Sequence, residues 1–457
     1  MSNADESKNL PSIQLFENHE WKTVGLNGKE KLIPNEWMVE NVGENIDFKL
    51  GNTPPKTGSN YDGNTPWVTI SNISGPLTTS CTAKIDYEKA RILPKGSLVG
   101  SFKMTIGRFS ILGMDAATNE AIVGVSPDGA PGFSLDYLRF ALVEPFVGGA
   151  STNGQGVQLL NTKTIKSLGF VAPPLPEQTL IAQVLTAQES QVNDLRKLAQ
   201  AERQLLAWLS EELLSGRLRV EKNLTAESVV VSRNEKGEPV EVLPGVKVVE
   251  NRGWKTVEVN ERETKIPDSW AVAGLGGLFR FVNGSAFKPS DWGQNGMKIV
   301  RIQNLSNPDA EYNYTTKKPD DVVTIDNDDI LMSWSGTIDI FRWTGDLAAL
   351  NQHIFRVDVK SGTDKNFAVV LLKNTIHYLR SQAHGATMVH IRKGVVEEAE
   401  CLVPPIPEQI LIAQVLTAQE TQVLEIERLA DLEQQRFEWL SEELLSGRIR
   451  VKTTKED

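Results

Sequence analysis

The most regular hydrophobic pattern in this chain is a narrow apolar seam that occurs twice. In two long segments, apolar residues recur every three and four positions, which is typical of helices that pair lengthwise. The segments begin at Pro176 and Pro407, which suit a first helical turn, and run without Pro or Gly until Gly216 and Gly447. The pattern therefore predicts two long helices that pack as an antiparallel coiled coil. The predicted seam consists of Leu185, Val192, Leu195, Ala199, Leu206, Leu209 and Leu213, and of Leu416, Val423, Ile426, Ala430, Phe437, Leu440 and Leu444.

The two helical segments are copies of each other. Leu180–Glu189 is identical to Leu411–Glu420, and Leu209–Arg217 is identical to Leu440–Arg448, at the same offset of 231 positions. This period is much longer than that of a solenoid repeat, so it indicates duplication of a unit the size of a domain.

The stretches between the helical copies are similar only in short segments, such as Asn119–Ile122 and Asn351–Ile354. In both stretches, short β-branched runs alternate with Gly, Asn, Asp and Ser turns. We therefore predict an α+β fold with two β-rich domains, which share a fold but differ in surface, joined by the coiled coil in a pseudo-twofold internal repeat. The predicted boundaries are 1–37 for an N-terminal frame segment, 38–173 for the first β-rich domain, 174–220 for the first spacer helix, 221–270 for a linker and second frame segment, 271–404 for the second β-rich domain and 405–457 for the second spacer helix. The long polar linker 221–253 leaves its path open.

Composition changes this picture only slightly. The chain has 457 residues and a net charge of −11, which taken alone argues against a nucleic-acid binder. Local Lys and Arg clusters or a partner can supply phosphate contacts, so the charge weakens that function without excluding it. No membrane span or secretory signal is visible, and Cys81 and Cys401 do not suggest a disulfide. These features predict a reduced, cytoplasmic protein.

Polar residues in the turns of the β-rich domains are of the types that pair with base edges and phosphates. A solvated loop residue remains the alternative for each of them, and His353 and His390 are expected to pack or cap rather than to act as ligands. The candidates for DNA contact are Lys56, Ser59, Asn60, Tyr61, Ser71, Asn72, Ser101, Lys103, Thr105 and Arg108 in the first domain, and Lys288, Arg301, Gln303, Asn304, Ser335, Thr337 and Arg342 in the second.

Sequence motifs for catalysis are missing. The chain has no phosphate-binding GxxxxGK[ST] loop, no GxGxxG, no HExxH and no GxSxG motif. It also lacks the Asn/Asp-Pro-Pro-aromatic signature of amino-methyltransferases. We therefore expect a noncatalytic protein with no metal site and no cofactor of its own.

Two motifs flank each long helix. Ala172–Gln178 and Val403–Gln409 lead into the helices through Pro-Pro-aliphatic-Pro-Glu-Gln, and each helix ends in Leu-Ser-Glu-Glu-Leu-Leu-Ser-Gly-Arg. Over nearly its whole length the chain resembles the specificity subunit of type I restriction-modification systems. The resemblance implies two target recognition domains that each read one half of a split sequence in double-stranded DNA, with the paired helices as ruler and platform.

The resemblance also implies partners. Two methyltransferase subunits, which would bind S-adenosylmethionine, are expected to dock on the helices, and restriction/translocase subunits to join them. Trp208 and Trp439 lie outside the seam at matched positions and are expected to pack or, alternatively, to form part of a partner-binding face. The candidate residues of the frame and of partner docking are Pro176, Glu177, Gln178, Trp208, Pro407, Glu408, Gln409 and Trp439.

Two other functions remain open. The chain could be a coiled-coil scaffold whose β-rich domains bind proteins, or a self-sufficient DNA-modifying enzyme, which the missing methyltransferase signature disfavours. If the two-domain reader is right, changes at Arg301 or Gln303 should affect one half-site only. Proline at Val192 should instead disrupt the helix and damage assembly.

Overall fold

The structure is a computed structural model that describes residues 13–56, 60–152, 158–222, 230–233, 239–241, 246–250, 253–307, 309–381 and 390–453, without the side chains of 13, 221–252 and 453. The chain forms two compact units. Unit 1 comprises Met1–Leu198 and Ile426–Asp457, and unit 2 comprises Ala199–Glu425. Each unit therefore contains one β-rich domain and a part of both long helices.

The elements of the first half alternate short strands with few helices before one long helix. They are β1 (Ile13–Glu17), β2 (Trp21–Leu26), β3 (Lys29–Pro34), β4 (Met38–Asn41), α1 (Val42–Asn45), β5 (Phe48–Leu50), β6 (Thr65–Val68), β7 (Leu77–Thr78), β8 (Ala83–Ile85), β9 (Ile92–Leu93), β10 (Leu98–Ser101), β11 (Phe109–Leu112), β12 (Ala116–Thr118), β13 (Ile122–Val125), α2 (Leu135–Ala141), α3 (Val143–Gly148), β14 (Ser151–Thr152), β15 (Gln158–Leu159), α4 (Thr162–Ser167), β16 (Gly169–Ala172) and α5 (Leu175–Leu214).

The second half follows a similar order, except that β17–β20 precede the hairpin and one helix, α8, stands where the first half has α2 and α3. Its elements are β17 (Leu218–Lys222), β18 (Val230–Arg233), β19 (Pro239–Glu241), β20 (Val246–Glu250), β21 (Trp254–Val259), β22 (Arg262–Pro267), β23 (Ala271–Gly274), α6 (Leu275–Leu278), β24 (Phe279–Asn283), β25 (Met297–Val300), α7 (Ile302–Ser306), β26 (Asn313–Thr315), β27 (Thr324–Ile325), β28 (Ile330–Ser333), β29 (Asp339–Arg342), β30 (Ala348–Leu350), β31 (Ile354–Val359), α8 (Lys365–Ser381), α9 (Lys393–Glu398), β32 (Glu400–Val403), α10 (Ile406–Ser446) and β33 (Ile449–Thr453).

The main sheets of the two units have matching strand orders, except that β7 adds a fifth strand at the edge of one sheet in unit 1. In unit 1, the strands run in the order β5-β13-β10-β11-β7 in one sheet and β8-β6-β12-β9 in another. In unit 2, the orders are β24-β31-β28-β29 and β26-β25-β30-β27. The central strands β10 and β28 are buried along their whole length, which explains their continuous run of small and apolar residues. The prediction that the two β-rich domains share a fold is confirmed.

The long helices and their seam are also confirmed. Helix α5 has 40 residues and α10 has 41, and every predicted seam residue is buried or partly buried. In unit 1, Leu185 packs in one core with Leu440 and Leu444, and the Gln188 amide donates to the Glu433 carboxylate at 2.5 Å. The pairing partners in α10 descend as positions in α5 ascend, so the segments are antiparallel.

Unit 2 repeats this helix packing with the roles exchanged. Leu209 and Leu213 share a core with Leu411, and the Gln419 amide donates to Glu202 at 2.6 Å. The same glutamine–glutamate pair therefore recurs at the matched positions of the repeat. A shift of one helix along the other would leave these buried polar groups without hydrogen-bond partners. The pair therefore specifies the register of the helices in each unit.

Strand pairing after each long helix is a feature that sequence analysis missed. In unit 1, β33 pairs antiparallel with β1, so that Ile449 lies opposite Glu17. In unit 2, β17 pairs with β20, so that Leu218 lies opposite Glu250. In both units, therefore, the strand that follows a long helix pairs with a strand of a frame segment: β33 with the N-terminal frame segment, and β17 with the second frame segment. Residues 223–229, 234–238, 242–245 and 251–252 of the linker lie outside the described residues.

Cys81 and Cys401 are free thiols, and burial raises the pKa of Cys401 to about 12. Among the helices of the described residues, none is long and apolar enough to cross a membrane.

Matched hairpin turns differ in backbone strain. The β2–β3 turn is Asn27-Gly28, and the β21–β22 turn is Asn260-Glu261, with φ of +79° at Gly28 and +63° at Glu261. The left-handed region favours glycine because a Cβ there approaches the backbone. The Asn side chain holds each turn in place: Asn260 bonds to both backbone groups of Glu400 at 2.9 Å. Glu261 therefore carries strain that its counterpart avoids.

We predict that Glu261→Gly raises the free energy of unfolding by about 1 kcal/mol, because glycine relieves the left-handed strain. Gly28→Ala at the matched turn should lower it by a similar amount, since its Cβ would meet no atom within 4 Å and only the backbone would be strained. Chemical denaturation measures both. A destabilising Glu261→Gly would contradict the strain argument.

Val192 is 2 % exposed in the middle of α5. Proline there removes a helical hydrogen bond and clashes with the preceding turn, so Val192→Pro should cost about 3 kcal/mol or more and lower helicity. Circular dichroism and denaturant unfolding measure the effect. Val192→Ala, which loses packing but keeps the helix, is the control, and equal helicity in both variants would show that α5 tolerates the break.

Candidate nucleic-acid interface

A buried ion pair joins the ends of the two long helices in unit 1. Glu177, in the first turn of α5, is 6 % exposed, and its carboxylate accepts hydrogen bonds from Arg450 at 2.7 and 3.0 Å. The indole of Trp37 donates to the same carboxylate at 3.1 Å. The hydrogen bond to Glu177 raises the pKa of Arg450 above its ordinary value. Because Arg450 lies in β33, the strand that follows α10, this contact ties the start of α5 to the chain just beyond the end of α10.

Unit 2 contains the same arrangement. Glu408 lies in the first turn of α10 and accepts from Arg219 at 2.5 and 2.6 Å, and the indole of Trp270 donates to it at 3.0 Å. Bidentate Arg–carboxylate pairs impose both distance and orientation. The glutamate of the Pro-Glu-Gln motif therefore has a structural role in each unit.

The glutamine of the motif anchors the β-rich domain to the helix. Gln178 donates to the carbonyl of Pro173 at 2.9 Å and accepts from the N–H of Ser134, which caps α2, at 3.0 Å. Gln409 likewise donates to Pro404 at 2.8 Å and accepts from the N–H of Asp364 at 2.9 Å. Both glutamines are buried, whereas Pro176 and Pro407 are exposed.

Several candidate DNA-contact residues lie inside the fold. Ser101 is fully buried, and its hydroxyl donates to the carbonyl of Thr105 and accepts from the N–H of Arg108 at 3.2 Å. Asn304 is 6 % exposed and donates to the carbonyls of Ala310 and Glu311, and Ser335 is 3 % exposed. This corrects the expectation for Ser101, Asn304 and Ser335, which are buried: buried polar groups must be satisfied internally, and the bonds of Ser101 and Asn304 hold loops.

Tyr61 and Asn60 also support their own loop. The Tyr61 hydroxyl donates to the carbonyl of Pro54 at 3.0 Å, and its ring packs edge-on against Trp67 at 5.8 Å between centroids. The Asn60 amide donates to the carbonyl of Pro55 at 3.1 Å. Both side chains are partly buried, so packing explains their residue types.

The remaining candidates reach the surface to different degrees. Arg342 is exposed but contacts Asp328 and Asn366, and its hydrogen bond, followed by that of Lys365, lowers the pKa of Asp328 to about 2. Ser59 lies outside the described residues. The exposed candidates are Lys56, Ser71, Thr105, Arg108, Lys288, Gln303, Thr337 and Arg342, and the partly buried ones are Asn72, Lys103 and Arg301.

Unit 1 contains a cationic cleft of about 460 Å³ between its β-rich domain and its helices. Three arginines line the cleft together with one glutamate, Glu189. Arg139 pairs with Glu189 at 2.5 Å, and Arg196 donates to Gln434 at 3.2 Å. Arg108 is exposed at the rim. The local excess of positive charge makes this cleft suitable for phosphate groups although the whole chain is acidic.

Unit 2 has a smaller cleft of about 240 Å³ at one edge of its β25–β30 sheet. It brings together Arg301 and Gln303 with Gln352 and His353, which sequence reasoning either missed or assigned to packing. Trp292, which is 41 % exposed, forms part of the wall, and the Arg301 guanidinium lies 5.3 Å from its ring centroid. Gln352 and His353 lie within Asn351–Ile354, the segment whose similarity to Asn119–Ile122 could have drawn attention to them.

Exposed apolar side chains occur on both long helices. Trp208 is 40 % exposed in unit 2, and Trp439 is 53 % exposed in unit 1. Both side chains are thus half-buried, and the alternative expectation, that they form part of a partner-binding face, stays a prediction. Leu432 in unit 1 and Leu424 in unit 2 are 51 % and 58 % exposed. Exposed aromatic and aliphatic groups of this kind are typical of partner-binding faces.

The chain thus carries two copies of one β-rich domain, each packed on the antiparallel long helices, and the surface side chains of the two copies differ. The family described as the type I restriction modification DNA specificity domain matches the chain twice, at residues 34–203 and 267–434. The chain belongs to this family.

Relatives agree with this assignment. The chain is 22 % identical over 449 residues to the MjaVIII type I restriction enzyme specificity subunit of Methanocaldococcus jannaschii, covering 92 % of this chain and 94 % of that one. It is also 22 % identical to the EcoBI specificity subunit of Escherichia coli over 195 residues, which span only 41 % of that protein. A crystal structure of the type I S subunit from M. genitalium shares the fold, with a TM-score of 0.54 and 12 % identity over 89 % of this chain and 96 % of that one.

We predict that Glu177→Gln lowers the free energy of unfolding by about 3 kcal/mol, because it leaves the largely buried Arg450 without its main counter-charge. Glu408→Gln should act similarly on unit 2. Denaturant unfolding measures both.

The matched control is Glu442→Gln, which removes a surface ion pair with Arg448 whose side chains are 73 % and 46 % exposed. It should cost less than about 1 kcal/mol. If the control destabilised the protein as much as Glu177→Gln does, the buried pair would have no special role.

Proposed function

We propose that this chain is the DNA-reading subunit of a type I restriction-modification complex and that each β-rich domain reads one half of a bipartite target. The observation that carries the proposal is the repeat itself. One scaffold occurs twice on an antiparallel helix pair whose register is locked in each unit, while the side chains at the loop edges differ. Such an arrangement suits two half-sites that are read at a set spacing.

The partners follow from the same features. We propose that methyltransferase subunits cover the exposed apolar side chains of the helices, including Trp208 and Trp439, and that restriction subunits join through them. S-adenosylmethionine would then be bound by the methyltransferases, and this chain would act as a noncatalytic reader. The cationic cleft of unit 1 supports phosphate contact, which supplies much of the affinity of DNA-binding proteins.

The test is the adenine methylation pattern of cells that express the methyltransferase subunits with or without this chain. We expect a split sequence motif that is methylated only when the chain is present, because target choice would reside here and the chemistry in the partner. Single-molecule sequencing of genomic DNA measures the motif, and restoring the gene on a plasmid controls for secondary changes. An unchanged pattern with an active methyltransferase would contradict the proposal and favour a protein-binding scaffold.

A further inference from the structure

Two loops meet at one edge of the sheet that contains β6 and β12 in unit 1, and of the matching sheet that contains β25 and β30 in unit 2. In unit 2, β25 and β30 are parallel neighbours, with Ile299 opposite Ala349 and Val300 opposite Leu350. The carboxyl ends of parallel strands lie at the same edge, so residues 301–303 emerge beside residues 351–353. In unit 1, β6 and β12 are parallel in the same way, and residues 69–71 emerge beside residues 119–121.

The backbone of the first loop is held identically in both units. Asn304 accepts from the N–H of Arg301 at 3.1 Å, and Asn72 accepts from the N–H of Thr69 at 2.9 Å. In each case the asparagine is the third residue of a short helix that begins after the strand, and its side chain caps the start of that helix. Asn72 and Asn304, both expected from the sequence to contact DNA, therefore position their loops.

The second loop is also held identically. Asn119 and Asn351 each donate a backbone N–H across to the neighbouring parallel strand at 3.0 Å. Their side chains accept from the N–H two residues later, at 3.2 Å for Ala121 and 3.4 Å for His353. Gly51 and Gly284 approach the carbonyls of Asn119 and Asn351 so closely that a Cβ would lie 2.2 and 2.1 Å away. Only glycine fits beneath either loop.

The side chains on this shared backbone differ sharply. At the four matched positions, unit 1 has small, hydroxyl and acidic side chains, and unit 2 has amide, guanidinium and imidazole groups. The positions are Thr69, Ser71, Glu120 and Ala121 in unit 1, and Arg301, Gln303, Gln352 and His353 in unit 2. A fixed backbone with exchanged hydrogen-bonding groups is what two readers of different sequences require.

The polar groups of unit 2 are incompletely satisfied. Among the described residues, Gln352 Oε1 and His353 Nδ1 have no hydrogen-bond partner, although both atoms are buried. Orphaned buried polar atoms are rare in proteins and cost about 1–3 kcal/mol each. They lie beside the exposed Gln303 in the cleft walled by Trp292. A ligand with a complementary edge would supply the missing partners after a small side-chain rotation.

We propose that these four matched positions are the base-reading positions of the two domains. In unit 2, the amides of Gln303 and Gln352 recognise the edge of an adenine, because an amide can accept from its amino group and donate to its ring nitrogen N7. In unit 1, the exposed Glu120 accepts from a base amino group, as carboxylates do with cytosine. This inference rests on the proposed function and names the residues that carry its specificity.

The experiment transplants residues between the matched loops in the full chain with its methyltransferase partners. Gln352→Glu and Gln303→Ser place unit 1 chemistry in unit 2, and Glu120→Gln is the reciprocal change in unit 1. Methylated motifs are sequenced for each variant, and binding of the complex is measured on duplexes that carry each base substitution. We expect one position of one half-site to change preference by roughly ten- to a hundredfold for the unit 2 variants, and a position of the other half-site to change for Glu120→Gln.

The outcomes separate the inference from the proposed function. If the unaltered complex has no split motif, the proposed function fails and the inference with it. If the motif exists but every variant keeps all of its bases, only the inference is overturned. Uniform weakening at both half-sites would also overturn it, because a residue that contacts the backbone weakens all sequences alike. Gln303 and Glu120 are exposed, so these two variants test the idea even if Gln352→Glu disturbs folding.

Discussion

The structure depends on a buried bidentate pair between a glutamate in the first turn of one long helix and an arginine in the strand that follows the other long helix. Glu177 with Arg450 in unit 1, and Glu408 with Arg219 in unit 2, each receive an indole N–H as well. Removing charges from water is expensive, so such pairs contribute more to geometry than to net stability. A slip of one residue along the seam would leave an unpaired charge in the core. The pair therefore penalises every register except the observed one.

The same pair explains why the frame sequence is nearly identical in the two copies while the domains diverge. Each glutamate is held by the tryptophan that follows the β2–β3 or β21–β22 hairpin and by an arginine after the opposite helix. The adjoining glutamine accepts a backbone N–H from the β-rich domain. Gly216 and Gly447 belong to this set, since a Cβ at either would lie 2.4–2.6 Å from Pro267 or Pro34. A substitution at one of these residues leaves its partners without their hydrogen bonds or packing, whereas a substitution at a loop tip affects only the contacts of that loop.

Sequence alone predicted what depends on local periodicity and on repetition. The helices, their seam, the glycines that end them and the shared domain fold followed from spacing and from the internal match. Strand pairing between distant segments did not, because nothing near Ile13 indicates that its strand pairs with β33. Residue type also misled where loops are tight: Ser101 and Asn304 have the composition of contact residues, but satisfying the backbone is their role. The cluster of Gln303 with Gln352 requires parallel strand order, which a sequence does not display.

The stable core of unit 2 also compensates for unsatisfied polar atoms at the edge of its β25–β30 sheet. Orphaned atoms at Gln352 and His353 together oppose folding by a few kcal/mol, which is a large fraction of the stability of an ordinary domain. Unit 2 tolerates them because one continuous core runs from Leu209 and Leu213 in α5, through Trp270 and Phe281, to Leu411 in α10. Since this core and its ion pair do not involve the side chains at the loop edge, those side chains are free to be chosen for what they meet outside the protein. At that edge, Gln352 and His353 each keep a buried polar atom that no described residue satisfies, and a group outside the protein could pair with it.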